Sequence, residues 1–224
     1  MKVSGPIPGA GDPFWTSPGG PREIAAELGP QLIANPQWPN PSIKKAALRA
    51  VRSESEIAIF AEWEDATENA ESTPGGQYTD QIALLFPLGG GGELPPITMG
   101  AEGREVNVWQ WKAMWQKALA LNPAGIEDAP GSLELPAKRL SPVEDLNAEG
   151  FSTLTRQERQ DVFGNGVWSG GAWRVVFKRA LSDSDPRDVR FKGPIPMVVA
   201  VWDGGNRETN GQKGLSNWIL LNFS

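Results

Sequence analysis

The chain has 224 residues, a formal net charge of −6, and neither histidine nor cysteine. This length buries a core without disulfide staples, and the acidic balance argues against nucleic acid and anionic membrane surfaces as partners. No apolar run reaches the length of a membrane span, and the missing residue types exclude disulfides, thiolate nucleophiles, Fe–S ligation, covalent haem attachment, Ser-His-Asp chemistry and the usual zinc ligands.

Taken in order, the chain opens with MKVSGPIPGAGDPFW, which lacks the apolar core of a signal peptide. Either the protein stays in the cytoplasm or the mature chain was exported and trimmed. Residues 1–21 are rich in Gly and Pro and read as an extended arm. KKAALRAV and IAIFAEW, separated by RSESE, read as a hairpin with Ile57, Ile59, Ala61 and Trp63 on one face. QIALLFPL repeats the alternation through Ile82, Leu84 and Phe86. WRVVFKRAL does so through Val175, Phe177 and Leu181, while PMVVAVW and NWILLNF are nearly continuous apolar runs. Helical signals are few: Trp111 to Asn122 reads as a short helix and Thr153 to Phe163 as a turn or two. Pro123 to Leu146, rich in Pro, Gly and acidic residues, reads as a long excursion. The expected fold is a single mainly β domain over 1–224, an antiparallel two-sheet β-sandwich with long loop inserts and a few short helices.

Most features with a chemical look have an ordinary explanation. The Gly89–Gly92 run precedes Glu93 rather than a Lys-Ser/Thr pair, so it is a hinge and not a phosphate loop. The acidic clusters Glu62, Glu64, Asp65, Glu68 and Asp183, Asp185, Asp188 lack calcium-loop spacing and read as solvated turns. No two carboxylates are singled out as a glycosidase pair. Ten tryptophans are unusual. Trp109, Trp111, Trp168 and Trp173 sit around strand ends, where they either stack sugars or pack the core. With His and Cys gone, a soft metal has only methionine sulfur or a neutral lysine amine. Met99 in LPPITMGAEG lies in a turn outside any apolar periodicity, and thioether sulfur suits haem iron. Lys213 in NGQKGLSNW lies in a glycine-flanked turn, where lysines are common for other reasons.

Seven segments carry a family likeness in order: DPFW, LGPQLIANP, AEWEDAT, YTDQIALLFP, ITMGAEGREVNVWQWKA, GFSTLTRQERQDVFGNGVWSGGAWRVVFKRAL and VAVWDGGNRETNGQKGLSNWILL. Together they resemble the haem b-binding γ subunits of periplasmic molybdenum enzymes of the DMSO reductase superfamily, the group of ethylbenzene dehydrogenase, dimethylsulfide dehydrogenase, chlorate reductase and selenate reductase. The resemblance implies a β-sandwich holding one non-covalent haem b between Met and Lys, here Met99 and Lys213. It implies a non-catalytic electron-transfer subunit beside a molybdopterin-containing α subunit and an Fe–S β subunit, delivering to or drawing from a carrier such as a c-type cytochrome. The expected location is then the periplasm.

The ligation has a stated cost. Lysine binds iron only as the neutral amine, and its reference pKa of about 10.4 makes deprotonation at pH 7 cost on the order of 4–5 kcal/mol. An apolar pocket lowers that cost, and the NWILLNF strand is expected to supply the wall, with the glycines beside Lys213 letting the backbone pass close to the porphyrin. From sequence proximity alone, Trp109 and Trp111 are expected to pack on the haem, and Lys112 and Arg207 to pair with its propionates. The rival from another class is a carbohydrate-binding module using paired tryptophans, and a third reading is a free-standing secreted b-type cytochrome.

Overall fold

The computed structural model describes residues 1–89, 92–127, 138–181 and 185–223. Its strands are β1 (Ile24–Glu27), β2 (Lys45–Arg52), β3 (Glu56–Glu64), β4 (Gln81–Pro87), β5 (Val106–Lys112), β6 (Val143–Ala148), β7 (Thr155–Arg156), β8 (Phe163–Ser169), β9 (Ala172–Ala180), β10 (Ile195–Trp202), β11 (Gly214–Leu215) and β12 (Ile219–Leu221), with one α-helix, α1 (Ala113–Leu121). They form two antiparallel sheets, as the alternation predicts. One runs β1-β2-β3-β9-β8. The other runs β11-β10-β4-β5-β6-β7, with β12 also on β10.

Period-two patterning sets which side chains meet between the sheets. Ile57, Ile59, Ala61 and Trp63 of β3 and Val175 and Phe177 of β9 face Ile82, Leu84 and Phe86 of β4, Trp109 and Trp111 of β5, and Met197, Val199 and Val201 of β10. Each fully buried Val, Leu, Ile or Phe is worth about 1.5–3 kcal/mol, so this interface dominates the stability. The surplus of tryptophan is used here. Trp63, Trp111 and Trp173 form one aromatic cluster with centroids 4.9–6.4 Å apart. Trp109, Phe86, Phe191 and Phe223 form another.

Both sheets are also apolar on their outer faces. The first is covered by the N-terminal arm. Val3 N–H donates to Arg52 O at 2.9 Å, and Ile7, Ala10 and Trp15 bury against Val51, Ala58, Phe60 and Val176. A single 3-10 turn, Pro13–Trp15, lets Trp15 stack on Phe60, with centroids 5.1 Å apart and planes 11° from parallel.

Several sequence expectations need correction. The helix begins at Ala113, because Trp111 and Lys112 complete β5 and pair with Ile82 and Gln81. Thr153–Phe163 holds no helix: Thr155 and Arg156 pair with Asn147 and Leu146, the polar side chains favouring an edge strand. The excursion ends before Leu146, since β6 starts at Val143 and pairs with β5. NWILLNF supplies only three strand residues. Asp65 and Asp188 are buried, each 4% exposed, rather than solvated. Gly90, Gly91, residues 128–137 and Asp183, on which parts of three expectations fall, lie outside the described residues.

If the arm is part of the folded unit, Trp15→Ala should lower the unfolding free energy by about 3–5 kcal/mol. Urea denaturation checks this, and a loss below about 1 kcal/mol would show the arm to be dispensable.

Candidate functional site

The outer face of the second sheet carries the site. Strand register arranges its central side chains in three rows. Val198, Leu85 and Val108 form the first, Ala200, Ala83 and Gln110 the second, and Trp202, Gln81 and Lys112 the third. All nine line a cavity of about 480 Å³, within the range of small-molecule and cofactor sites. The paired alanines of the middle row leave a shallow floor where larger residues would fill it. Polarity rises across the floor, from aliphatic at the first row to amide and ammonium at the third. Gln110 Nε2 donates to Gln81 Oε1 at 2.8 Å, and Lys112 Nζ lies 4.2 Å from the Trp115 ring centre.

Four loop segments wall this floor: 31–35, 97–99, 151–154 and 209–213. Met99 stands in a turn that closes with Gly100 N–H donating to Pro96 O at 3.0 Å and Gly150 N–H donating to Met99 O at 2.8 Å. Its φ is 75°, a left-handed conformation uncommon for a residue with a side chain. Gly100 follows at φ 78°, and a Cβ there would lie 2.7 Å from Arg104 O, so glycine is required. Backbone strain of this kind marks positions whose side-chain direction matters. Phe151 and Leu154, which follow the Gly150 that bonds Met99 O, also line the cavity and are 53% and 43% exposed, apolar surface that a ligand there would cover.

Lys213 reaches the same cavity from a loop tied at several points. Gln31 Nε2 donates to Gly211 O at 2.9 Å and to Ala34 O at 3.1 Å. Trp202 Nε1 donates to Asn210 O at 3.0 Å, and Leu215 exchanges two backbone hydrogen bonds with Gly29. The half-buried lysine places its Nζ 4.8 Å from the centre of the Trp202 ring. Burial lowers its pKa to about 8, since leaving water disfavours the ammonium. The wall of this pocket is Trp202 with Leu215; β12 pairs instead with the far end of β10, at Ile195–Met197. Of the two glycines nearest Lys213, Gly211 lines the cavity. Gly214 is turned away from it, and a Cβ there would lie 3.0 Å from Ile43 O.

Met99, Lys213 and Lys112 therefore meet at one cavity. Trp109 and Trp111 do not: the pleat points Val108, Gln110 and Lys112 outward and buries both tryptophans between the sheets. Arg207 lies outside it as well, 5.7 Å from the Tyr78 ring centre and lining a separate cleft. Trp173 is buried in the core and the partly buried Trp168 packs against it; both also line that separate cleft rather than the cavity. Sequence reading missed Trp202, Gln81, Gln110 and Phe151. The signal available was the unbroken apolarity of β4 and β10, which requires a second packed face.

The family model described as Ethylbenzene dehydrogenase matches residues 25–129 and 141–214. A protein named as a respiratory nitrate reductase heme subunit in Haloferax mediterranei is 25% identical over 84% of this chain and 59% of its own length. The chlorate reductase subunit gamma of Ideonella dechloratans is 29% identical over 80% of this chain and 65% of its own. The chain thus spans about six-tenths of the length of these relatives. A family 9 carbohydrate-binding module from Caldicellulosiruptor kristjanssonii, solved with cellotriose, aligns over 96% of this chain and 82% of its own at 10% identity and a TM-score of 0.43; the sandwich assignment rests on the strand pairing above and not on that likeness. With the family model matched over most of its length, the chain belongs to the ethylbenzene dehydrogenase family.

Proposed function

We propose that the cavity on the outer sheet face holds one haem b, non-covalently, with Met99 and Lys213 as axial ligands, and that the chain is a non-catalytic electron-transfer subunit of a molybdenum oxidoreductase. The observation that carries this reading is the convergence of Met99 and Lys213, from opposite halves of the sequence, on a single cavity. The donor set fits the group, since a chain without His or Cys can offer low-spin iron only thioether and amine. The flat alanine floor suits a planar macrocycle. The polar side, with Gln110 of the second row and Gln81 and Lys112 of the third, suits its carboxylates.

When bound, the haem would supply one-electron exchange, and Met99 and Lys213 would hold it. The chain's residues do the rest. Met99 offers a neutral soft donor that favours the reduced state. Trp202 and Leu215 keep water from the Lys213 amine. With its pKa near 8, freeing that amine of its proton at pH 7 costs on the order of 1–2 kcal/mol instead of the 4–5 expected in water. The Gly29–Leu215 and Gln31–Gly211 hydrogen bonds fix the loop that carries it.

The names of the relatives, a heme subunit and a subunit gamma, support placing this chain beside a molybdopterin-containing α subunit and an Fe–S β subunit. A c-type cytochrome is the proposed external carrier and the periplasm the proposed location. Among the described residues no helix is long and apolar enough to cross a membrane.

Four outcomes follow for the purified chain. Met99→Ala should give a five-coordinate or water-ligated haem of lower potential, while Lys213→Ala should lose the low-spin spectrum or the haem itself; wild-type spectra would remove the residue concerned from the ligand set. Ala200→Phe, which raises the middle of the floor, should weaken haem retention by about 100-fold or more while the melting temperature holds; undiminished haem content would place the cofactor elsewhere. Because ligation releases the lysine proton below a pKa of about 8, haem affinity should rise about tenfold per pH unit up to that pH and level off above it. Transfer of haem to a competing acceptor protein measures this, and an affinity independent of pH between about 6 and 8 would contradict ligation by Lys213.

A further inference from the structure

A second site lies outside the haem cavity, where three aspartates meet at one end of the sandwich. Asp65 follows the last residue of β3, Asp80 precedes the first of β4, and Asp203 follows the last of β10. One carboxylate oxygen from each lies within 4.8 Å of the other two. Asp65 is 4% exposed and Asp80 fully buried. Among the described residues no lysine or arginine forms an ion pair with any of the three. Three clustered carboxylates without a cation repel one another, and buried charge of one sign needs a counter-charge or a proton.

An independent observation says which. Asp80 is satisfied: its oxygens accept from Gly204 N–H at 2.8 Å, Asn69 N–H at 2.7 Å and Trp173 Nε1 at 2.8 Å. Asp65 Oδ1 accepts from Thr67 N–H at 3.1 Å, but Asp65 Oδ2 is buried with no hydrogen-bond partner. The Trp63 indole N–H, which weakly favours the Asp65 carboxylate, is itself left without one. Asp65 thus brings to the cluster a buried carboxylate with one oxygen that no donor meets at hydrogen-bond distance.

Further oxygens converge near the Asp203 carboxylate. The point a Cβ would occupy at Gly205 lies 2.9 Å from Thr67 Oγ1, 3.0 Å from Asp203 Oδ1 and 3.2 Å from Asn69 Oδ1. The donors are all oxygen, and side chains at 65, 67 and 69 project from alternate positions of one loop. Hard, irregular oxygen sets of this kind suit calcium better than magnesium, which demands octahedral geometry and keeps its waters. The neighbouring cleft reaches Asn69, Gly204 and Gly205 and gives an ion a way in. In its absence, burial and the Asp80 carboxylate raise the Asp65 pKa to about 7, and burial raises that of Asp80 to about 6.

We propose that Asp65, Asp80 and Asp203 form a calcium site that ties the two sheets together at the end from which the Lys213 loop departs. β3 belongs to one sheet and β4 and β10 to the other, so an ion bound by all three aspartates cross-links the sandwich. The inference is independent of the haem reading.

The test is a calorimetric titration of the chelator-treated full chain with calcium chloride near pH 7.5, with melting curves alongside. One calcium ion should bind per chain and raise Tm by on the order of 5 °C at saturation. EGTA should reverse the rise, and magnesium should bind at least about tenfold more weakly. Asp65→Asn, or Asp203→Asn should that variant fold poorly, should lose at least about tenfold in calcium affinity. Without calcium, Asp65→Asn should melt no lower than the parent, because a buried repulsion is gone. Absence of both heat and Tm shift at millimolar calcium in the parent chain would overturn the proposal, with protonation neutralising the cluster instead. Calcium stabilisation undiminished in both variants would also overturn it.

Discussion

The structure turns on one constraint: β4 and β10 are apolar on both faces. Their inner faces meet the opposing sheet, so the outer face, Ala83, Leu85, Val198, Ala200 and Trp202, needs cover as well. Antiparallel sheets commonly leave one face to water, and the first sheet solves the same problem with its own N-terminal arm. On the second sheet loops cover the edges and leave a cavity in the middle. A cavity floored by alanine and rimmed by exposed Phe151 and Leu154 is incomplete as a protein core, which is why it is proposed as the cofactor's seat.

The position of Lys213 depends on that same apolar face. A lysine on the surface holds its proton too tightly to bind iron, and one sealed in the core could not be reached by a ligand. Half-burial beside the Trp202 ring lies between these limits. Desolvation brings the amine's pKa down to about 8, and under the proposed ligation the Fe–N bond would offset the remaining cost. Met99 needs no such preparation, being neutral at every pH. Its proposed part depends on geometry, and the left-handed Met99–Gly100 turn sets where its side chain leaves the backbone.

The sequence showed the fold clearly where period-two alternation was strong, as in β3, β4 and β9. It misled where local pattern and tertiary context disagreed. WKAMWQKALALN has helical spacing throughout, yet Trp111 and Lys112 are taken by pairing with β4. Thr153–Phe163 is polar enough for a helix surface but sits at a sheet edge. Met99 and Lys213 stood out because each lacked a packing reason, while their meeting at one cavity needed the three-dimensional register. Trp109 and Trp111 were misplaced because nearness in sequence to Met99 says nothing of which face of β5 they occupy. The aspartate cluster was hidden for a similar reason: its members lie at three strand ends far apart in the chain, and only the closed sandwich brings them together.

The central claim is that the outer-face cavity is a haem seat. The most direct measurement is the optical spectrum of the purified chain, oxidised and dithionite-reduced, with a pyridine haemochrome assay. The account predicts one low-spin haem b per chain. A colourless chain that also fails to take up added haem would contradict it.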